Sequence, residues 1–539
     1  MQEIETVRTM LVRNLQSGGD RPAIIEGGRR LTFRELADRT RRMGNALLNL
    51  GLGKGDRVAI LSRNSLENAE SYFSIPNAGL VLVMVNFRLA PVNILEILRD
   101  SQARVVIVTE KYAGQLKHIQ AVLPCIKHIV YIGDEIAAPE GWLHYETLIA
   151  KASAAEPEVQ IDADDLAALM YTSGTTGEPK GCMATHRNFY HVGRSMAHEL
   201  QMQEGDVGIV PVAMFHVSGI VILLGGIHSG TASVIMPRWD TEEFMALVEQ
   251  HRVTLGLLAT PMLRFFVDHP NSGEYDLSSL RKLMFAGAPV SSVVFRKAID
   301  QFGNIFIHAF GTTETMGAAT ILRTEEVAQA LAEGRTEILE SCGKTYCAME
   351  TEVVDEHDQP VPPDAIGEVR IRGTGMTRGY WNRETETQEV FRNGWYYSGD
   401  LGTVDAYGYI QINGRKTEMI ITGGENVFPA EVENVLYQHP AVAEVAVIGI
   451  QDQKWGEAVT AFVVKKPGAQ VNEEELKAFC SKVLARYKVP RKILWVENLP
   501  VSTSGKLLKN KLKLQYVRRQ FQQARSYFAK RSFVVPDDE

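Results

Sequence analysis

Tyr171-Thr172-Ser173-Gly174-Thr175-Thr176-Gly177-Glu178-Pro179-Lys180-Gly181 follows directly on the apolar run Leu166-Ala167-Ala168-Leu169-Met170. These eleven residues hold four Ser/Thr hydroxyls, three glycines and one lysine. Glycines let main-chain N–H groups turn toward an anion, hydroxyls add donors, and lysine adds charge. The apolar run predicts a short buried strand, so the stretch reads as strand then loop. The loop is either a phosphate cradle or an ordinary polar turn. It is not a Walker loop, in which lysine follows the second glycine at once; the spacing here is GxxGxxK.

The same alternation runs outward on both sides. Upstream, Thr32 with Glu35 three residues later makes a capping box that opens a helix to Leu50. Strands are predicted at Arg57–Leu61, Leu80–Val85, Val105–Val108 and Ile129–Ile132, with helices at Leu66–Ala78 and Val92–Asp100. Downstream come the strand Thr231–Met236, the helix Thr241–His251, the strand Leu283–Ala286 and the helix Ser291–Phe302. Strands alternating with helices of this length predict α/β layers of mainly parallel sheet. From Glu352 the texture turns to short strands such as Gly367–Gly373, a small β subdomain. After Arg415 a last α/β section predicts helices Pro429–Gln438 and Glu473–Tyr487 with strands Val442–Ile448 and Val459–Val464, then a basic helical tail, Tyr516–Arg531.

At 539 residues the chain exceeds one ordinary core. A net charge of −8 speaks against nucleic acid as a partner. Five cysteines without a CxxC pair fit reduced thiols in a cytoplasmic compartment, with neither a disulfide framework nor a zinc site. The acidic start, Met1-Gln2-Glu3-Ile4-Glu5, lacks a signal-peptide pattern, and the apolar Val217–Gly226 segment is too short to span a bilayer.

Four further stretches combine with the loop. Pro211–Gly219 sets His216 in an apolar run, where a histidine satisfied in the core is the plain alternative. Ile307-His308-Ala309-Phe310-Gly311-Thr312-Thr313-Glu314 ends a strand in small residues and a carboxylate, either a Mg²⁺ ligand or a solvent-facing turn residue. Tyr397-Ser398-Gly399-Asp400 and Gly414-Arg415-Lys416 offer a carboxylate and a guanidinium, for ribose hydroxyls or as surface charges. Ser504-Gly505-Lys506 puts a lysine after a Ser/Gly turn.

In this order and spacing, together with Gly423-Gly424-Glu425-Asn426-Val427, the set resembles the adenylate-forming superfamily: acyl-CoA synthetases, amino-acid-adenylating domains and beetle luciferases. The resemblance covers about Thr32 to Leu512. It implies a large N-terminal domain, 1–414, with a β subdomain from about 345, a hinge at 415–418 and a small mobile α/β domain, 419–539. It implies ATP, Mg²⁺ and coenzyme A. Thr172, Ser173, Gly174, Thr175, Thr176, Gly177 and Lys180 would grip the β- and γ-phosphates, and Thr313 would donate to the α-phosphate. Glu314 and Thr172 would hold the metal. The Gly287-Ala288-Pro289 turn and Phe310 would bracket adenine, with His308, Gly311 and Thr312 in the same nucleotide site. Asp400 and Arg415 would hold ribose, and Lys506 would neutralise the forming acyl-phosphate bond. Gly423 and Gly424 would line a pantetheine tunnel, with Trp455 packed on the coenzyme arm or simply buried. The hinge position, Thr417, departs from the family's usual Asp or Lys.

Amino-acid-adenylating relatives carry Phe-Asp-x-Ser where this chain has Phe215-His216-Val217-Ser218, so the carboxylate that pairs a substrate ammonium is missing. A lining of Val217, Gly219, Gly225, Gly226, Ala286 and Gly311 suits a hydrophobic fatty, aryl or alicyclic acid rather than a charged one. The expected activity is an AMP-forming acid–thiol ligase using coenzyme A. The alternatives are an acyl-AMP ligase loading a carrier protein and a catalytically silent binding homologue. No transmembrane segment is expected, and a homodimer would use the N-terminal part.

Overall fold

Thr32 caps the helix Phe33–Asn49 as its pattern predicts: the Glu35 N–H donates to Thr32 Oγ1 (3.2 Å) and the Thr32 N–H to Glu35 Oε2 (2.8 Å). Leu36, Thr40, Met43 and Leu47, three or four apart, form its buried stripe against the helix Leu66–Asn77. Gly44 lies in that seam, where a Cβ would stand 3.2 Å from both the Ala78 Cβ and the Ser74 carbonyl.

The structure, a computed structural model, describes residues 5–173, 179–347, 349–501 and 507–518. The described residues divide into two compact units. The larger takes the chain to Ala365 with Val369–Ser398 and Val404–Gln411; the smaller takes Ile366–Glu368, Gly399–Thr403 and the chain from Ile412 onward.

In the larger unit, one sheet has the order Leu143–His144, His128–Ile132, Val105–Thr109, Arg57–Leu61, Val81–Met84, Leu166–Ser173 and Pro179–Thr185. All its neighbours are parallel except the last pair, the hairpin that carries the glycine-rich loop. A second sheet places Phe306–Phe310, Lys282–Ala286, Leu255–Ala259, Val207–Val210 and Ala232–Ile235 side by side, all parallel. Strands covered on both faces read as near-continuous Val/Ile/Leu runs, which is why they are legible in the sequence. The short-strand region forms a five-stranded sheet that includes Gly367–Gly373 and Trp395–Val404.

The smaller unit wraps the long hairpin Val442–Asp452/Gly456–Lys465 with the helices Pro429–Tyr437 and Glu473–Cys480. The helix predicted over Glu473–Tyr487 stops early because its apolar face runs out. Ser481, Lys482 and Val483 are exposed, and the chain returns to the core at Leu484 and, partly buried, at Tyr487. The tail is helical over 509–518; the rest of the predicted basic helix lies outside the described residues. Among the described residues no helix is long and apolar enough to cross a membrane. The apolar Val217–Gly226 segment belongs instead to the helix Val217–Ser229, whose middle is buried on all sides.

Candidate active site

Four parallel neighbours, Val207–Val210, Leu255–Ala259, Lys282–Ala286 and Phe306–Phe310, end on one edge of the second sheet. The residues that follow them are Pro211–His216, Thr260, Gly287-Ala288-Pro289 and Gly311–Glu314. Carboxyl ends of parallel strands are where open α/β sheets bind ligands. Sheet topology therefore collects motifs more than a hundred residues apart.

The Gly311–Ala318 turn is locked from within. A Cβ on Gly311 would stand 1.7 Å from the Gly317 carbonyl oxygen, so only glycine fits. Thr315 Oγ1 accepts the Thr312 N–H at 2.9 Å and donates to the Gly317 carbonyl at 2.7 Å. Thr312 Oγ1 is buried without a hydrogen-bond partner among the described residues, a donor available to an anion. Glu314 is only 8% exposed, which corrects its reading as a solvent-facing turn residue. Its carbonyl accepts from the Thr377 N–H (2.8 Å) and its Oε1 from the Tyr380 hydroxyl (2.7 Å).

Tyr380 was not singled out in the sequence, yet it joins two motifs. Residues 378–381 pair with the strand Pro179–Thr185 through Arg378 N to Met183 O (3.0 Å), Met183 N to Gly379 O (2.9 Å) and Trp381 N to Gly181 O (2.8 Å). Lys180 Nζ lies 5.4 Å from the centre of the Tyr380 ring, a cation over the face whose hydroxyl meets Glu314. Thr172 faces Lys180 across the hairpin and Ser173 faces Pro179. Gly174, Thr175, Thr176 and Gly177 lie outside the described residues.

His216 begins the helix Val217–Ser229. Its Nε2 is buried without a partner among the described residues, and burial, reinforced by nearby Arg88, lowers its pKa to about 4. The imidazole is thus neutral at pH 7, edged by the Phe215 ring at 4.2 Å between centroids. The loop before it hangs on one residue that sequence reasoning passed over. Asn64 Nδ2 donates to the carbonyls of Val212 (2.9 Å) and Met236 (3.1 Å), and Asn64 Oδ1 accepts the Met214 N–H (2.8 Å). The Tyr72 hydroxyl donates to the Met214 carbonyl. Nothing local marks Asn64, because its partners are 148 to 172 residues away. Asn64→Ala strands two carbonyls and an N–H, which should cost about 2–4 kcal/mol. Denaturant unfolding reads that loss.

Three of the glycines expected to line an acid pocket are closely packed on their Cβ side. A Cβ would meet the Ala213 carbonyl oxygen at 2.2 Å from Gly219, Met202 at 2.9 Å from Gly225, and the Thr231 carbonyl oxygen at 2.9 Å from Gly226. The Gly287 turn is real, with φ +97°, and Thr260 Oγ1 fastens it by donating to the Ala288 carbonyl at 2.8 Å. Pro289 closes the same turn, and Phe310 stands half-buried at the end of its strand.

His308 is buried one position before Ala309, stacked on Phe285 at 4.7 Å, with Nδ1 donating to the Ser341 carbonyl at 2.8 Å. Burial lowers its pKa to about 4, as it does for His186. An unfolded imidazole takes a proton near 6.5, so unfolding binds protons as pH falls from about 6.5 toward 4. The stability these neutral histidines contribute is complete above that window and is lost through it, by up to about 1.4 kcal/mol per pH unit each. His308→Asn should flatten this acid-side slope in urea unfolding series.

In the smaller unit, Asp400 is buried, and its Oδ1 meets Arg415 Nε at 2.6 Å, an ion pair rather than two separate surface charges. Gly423 and Gly424, with φ +62° and +88°, make the two-residue turn of the hairpin Ile420–Thr422/Glu425–Val427. A Cβ on Gly423 would stand 2.9 Å from the Trp455 ring, and the Arg491 guanidinium lies 3.9 Å from the ring centre on the same indole. Lys506 lies outside the described residues.

The model of the AMP-binding enzyme family matches residues 11–381, and that of the AMP-binding enzyme C-terminal domain matches 431–506. The chain is 35% identical over 511 residues to a feruloyl-CoA synthase of Amycolatopsis sp, covering 95% of this chain and 98% of the relative. It is 32% identical to the fatty acid–[acyl-carrier-protein] ligase ScoC of Streptomyces coeruleorubidus, covering 91% and 93%. Among solved structures, the anthranilate CoA ligase AuaEII in complex with anthranoyl-AMP superposes with a TM-score of 0.88 at 28% identity, over 96% of this chain and 98% of that one. With Thr312, Glu314 and His216 on one sheet edge and relatives alike over nearly their whole length, the chain belongs to the AMP-binding enzyme family, as an adenylate-forming enzyme of the acyl-CoA synthetase type.

Proposed function

We propose that the protein adenylates a hydrophobic carboxylic acid with ATP, releasing pyrophosphate, and passes the acyl group to coenzyme A, releasing AMP. The observation that carries this reading is His216: a neutral imidazole with an unengaged buried Nε2, heading an apolar helix on the same sheet edge as Thr313 and Glu314. Such a site can donate to or accept from a substrate carboxyl and has no charge to pair an ammonium.

In the first step a carboxylate oxygen attacks the α-phosphorus, so two anions must approach, and placed donors and cations supply most of the acceleration. Thr172, Ser173 and Lys180 hold the leaving phosphates together with the loop they flank. Thr313 and the buried Thr312 hydroxyl serve the α-phosphate. Glu314 and Thr172 would hold Mg²⁺, a hard cation suited to a carboxylate and a hydroxyl, and the chemistry it would supply is neutralisation of the phosphate oxygens. Gly287–Pro289 and Phe310 flank adenine, and Asp400, oriented by Arg415, accepts from the ribose hydroxyls. For thioester formation the smaller unit turns about Lys416-Thr417-Glu418, a single exposed 3₁₀ turn, to bring the Gly423–Gly424 turn and Trp455 to the coenzyme arm.

The decisive experiment is a pyrophosphate-release screen over fatty, aryl and alicyclic acids, with thioester identified by mass. Free coenzyme A should discharge preformed acyl-AMP. Discharge by a carrier protein alone would favour the activity named for the ScoC relative. Asp400→Ala should raise KM for ATP about tenfold or more while the order of preferred acids stays the same; a reordered acid profile removes Asp400 from the ribose.

A further inference from the structure

Residues 368, 370 and 372 share one face of the strand Gly367–Gly373. Arg370 and Arg372 pair with Glu352 and Glu350 of the neighbouring strand Met349–Val354, both at 2.6 Å. Glu368 instead reaches toward the strand Trp395–Val404, which pairs with both Gly367–Gly373 and Ile410–Arg415. Its Oε1 accepts the Gly399 N–H at 3.3 Å, and its Oε2 meets Lys416 Nζ at 3.1 Å. One carboxylate thus holds the residue before Asp400 and the residue after Arg415.

Gly399 has φ +71°, a left-handed backbone inside a strand. A kink of that kind re-aims the side chain that follows it, here the Asp400 carboxylate. Arg415 Nε meets Asp400 Oδ1 at 2.6 Å, and Lys416 opens the 3₁₀ turn Lys416–Glu418. The contacts close a ring, from Glu368 to Gly399-Asp400, across to Arg415-Lys416 and back to Glu368. Lys416 is exposed, and an exposed ion pair alone contributes little. The weight lies on the Glu368 side chain, which is only 15% exposed and divides its oxygens between a main-chain donor and the lysine.

We infer that Glu368 is a positioning residue for the nucleotide, fixing the kink at Gly399 and the end of the strand at Arg415 so that Asp400 and Arg415 meet the ribose hydroxyls in one geometry. The inference rests on the ribose reading of Asp400 and Arg415 given above and adds what holds that pair. Glu368 itself touches no substrate. Its effect passes through Asp400, so it should appear as discrimination between nucleotides with and without ribose hydroxyls.

The test measures kcat/KM in pyrophosphate release with ATP and with 2′,3′-dideoxy-ATP. The unsubstituted enzyme should prefer ATP by about tenfold or more, because a site built to bond hydroxyls rejects the analogue that lacks them. In Glu368→Ala this ratio should fall about fivefold or more, toward the value in Asp400→Ala, and the double variant should fall no further than Asp400→Ala alone. Glu368→Gln is the variant that spares the fold. Its amide oxygen can still accept the Gly399 N–H, so it should keep more of the ratio than alanine does. A merely structural role would lower both nucleotides by the same factor. An unchanged ratio in Glu368→Ala, or in Glu368→Gln where the alanine variant does not fold, overturns the inference while Asp400→Ala still lowers the ratio. A ratio that Asp400→Ala leaves unchanged overturns the ribose reading itself, and this inference with it.

Discussion

Lys506→Ala is expected to lower adenylate formation by about 10²–10³-fold, while thioester formation from supplied acyl-AMP keeps most of its rate. The reason is charge. When the carboxylate meets the α-phosphorus, negative charge builds on the bridging and phosphoryl oxygens. A compact ammonium on a long stem can reach them and withdraw. Val501 and Leu507 form an antiparallel bridge, and the Leu508 N–H donates to the Pro500 carbonyl at 2.8 Å. Lys509 provides the control, because it is already engaged by Glu433 at 2.9 Å. Lys509→Ala should cost stability and leave the ratio of the two half-reactions unchanged. Both half-reactions are read separately, by pyrophosphate exchange and by thioester release; equal loss of both in Lys506→Ala would remove the assigned role.

The order of layers and most strand positions were legible because buried parallel strands write themselves as apolar runs bounded by turns. The helix Thr241–His251 and the strand Gly367–Gly373 fall on their predicted residues, and the capping box at Thr32 is formed. What could not be read was whatever depends on distant pairing. Tyr380 reaches Glu314 only because residues 378–381 pair with the strand after the glycine-rich loop, and Asn64 matters only because two strand ends and a loop converge on it. The packing role of glycine was also not legible: in Gly219, Gly225 and Gly226 the missing side chain makes room for neighbouring protein atoms. His216 lies buried and neutral within the apolar run that surrounds it in the sequence.

Glu314→Gln separates charge from shape at the centre of the larger unit. The amide has nearly the volume of the carboxylate, and its oxygen can still accept the Tyr380 hydroxyl now held at 2.7 Å. The Thr377 N–H to Glu314 carbonyl bond is main-chain and survives any side chain. Unfolding should therefore change by about 1–2 kcal/mol at most. Adenylation should fall by about 10²-fold if that charge holds Mg²⁺ as proposed, and the Mg²⁺ concentration for half-maximal rate should rise. Tyr380→Phe makes the complementary change. It keeps the charge, removes the hydrogen bond that aims the carboxylate, and leaves the ring under Lys180, so its loss should be nearer tenfold and partly recovered by excess Mg²⁺. If Glu314→Gln keeps wild-type dependence on Mg²⁺, the carboxylate serves the Gly311–Ala318 turn alone, and the metal must be held by phosphate, water and the hydroxyls of the glycine-rich loop.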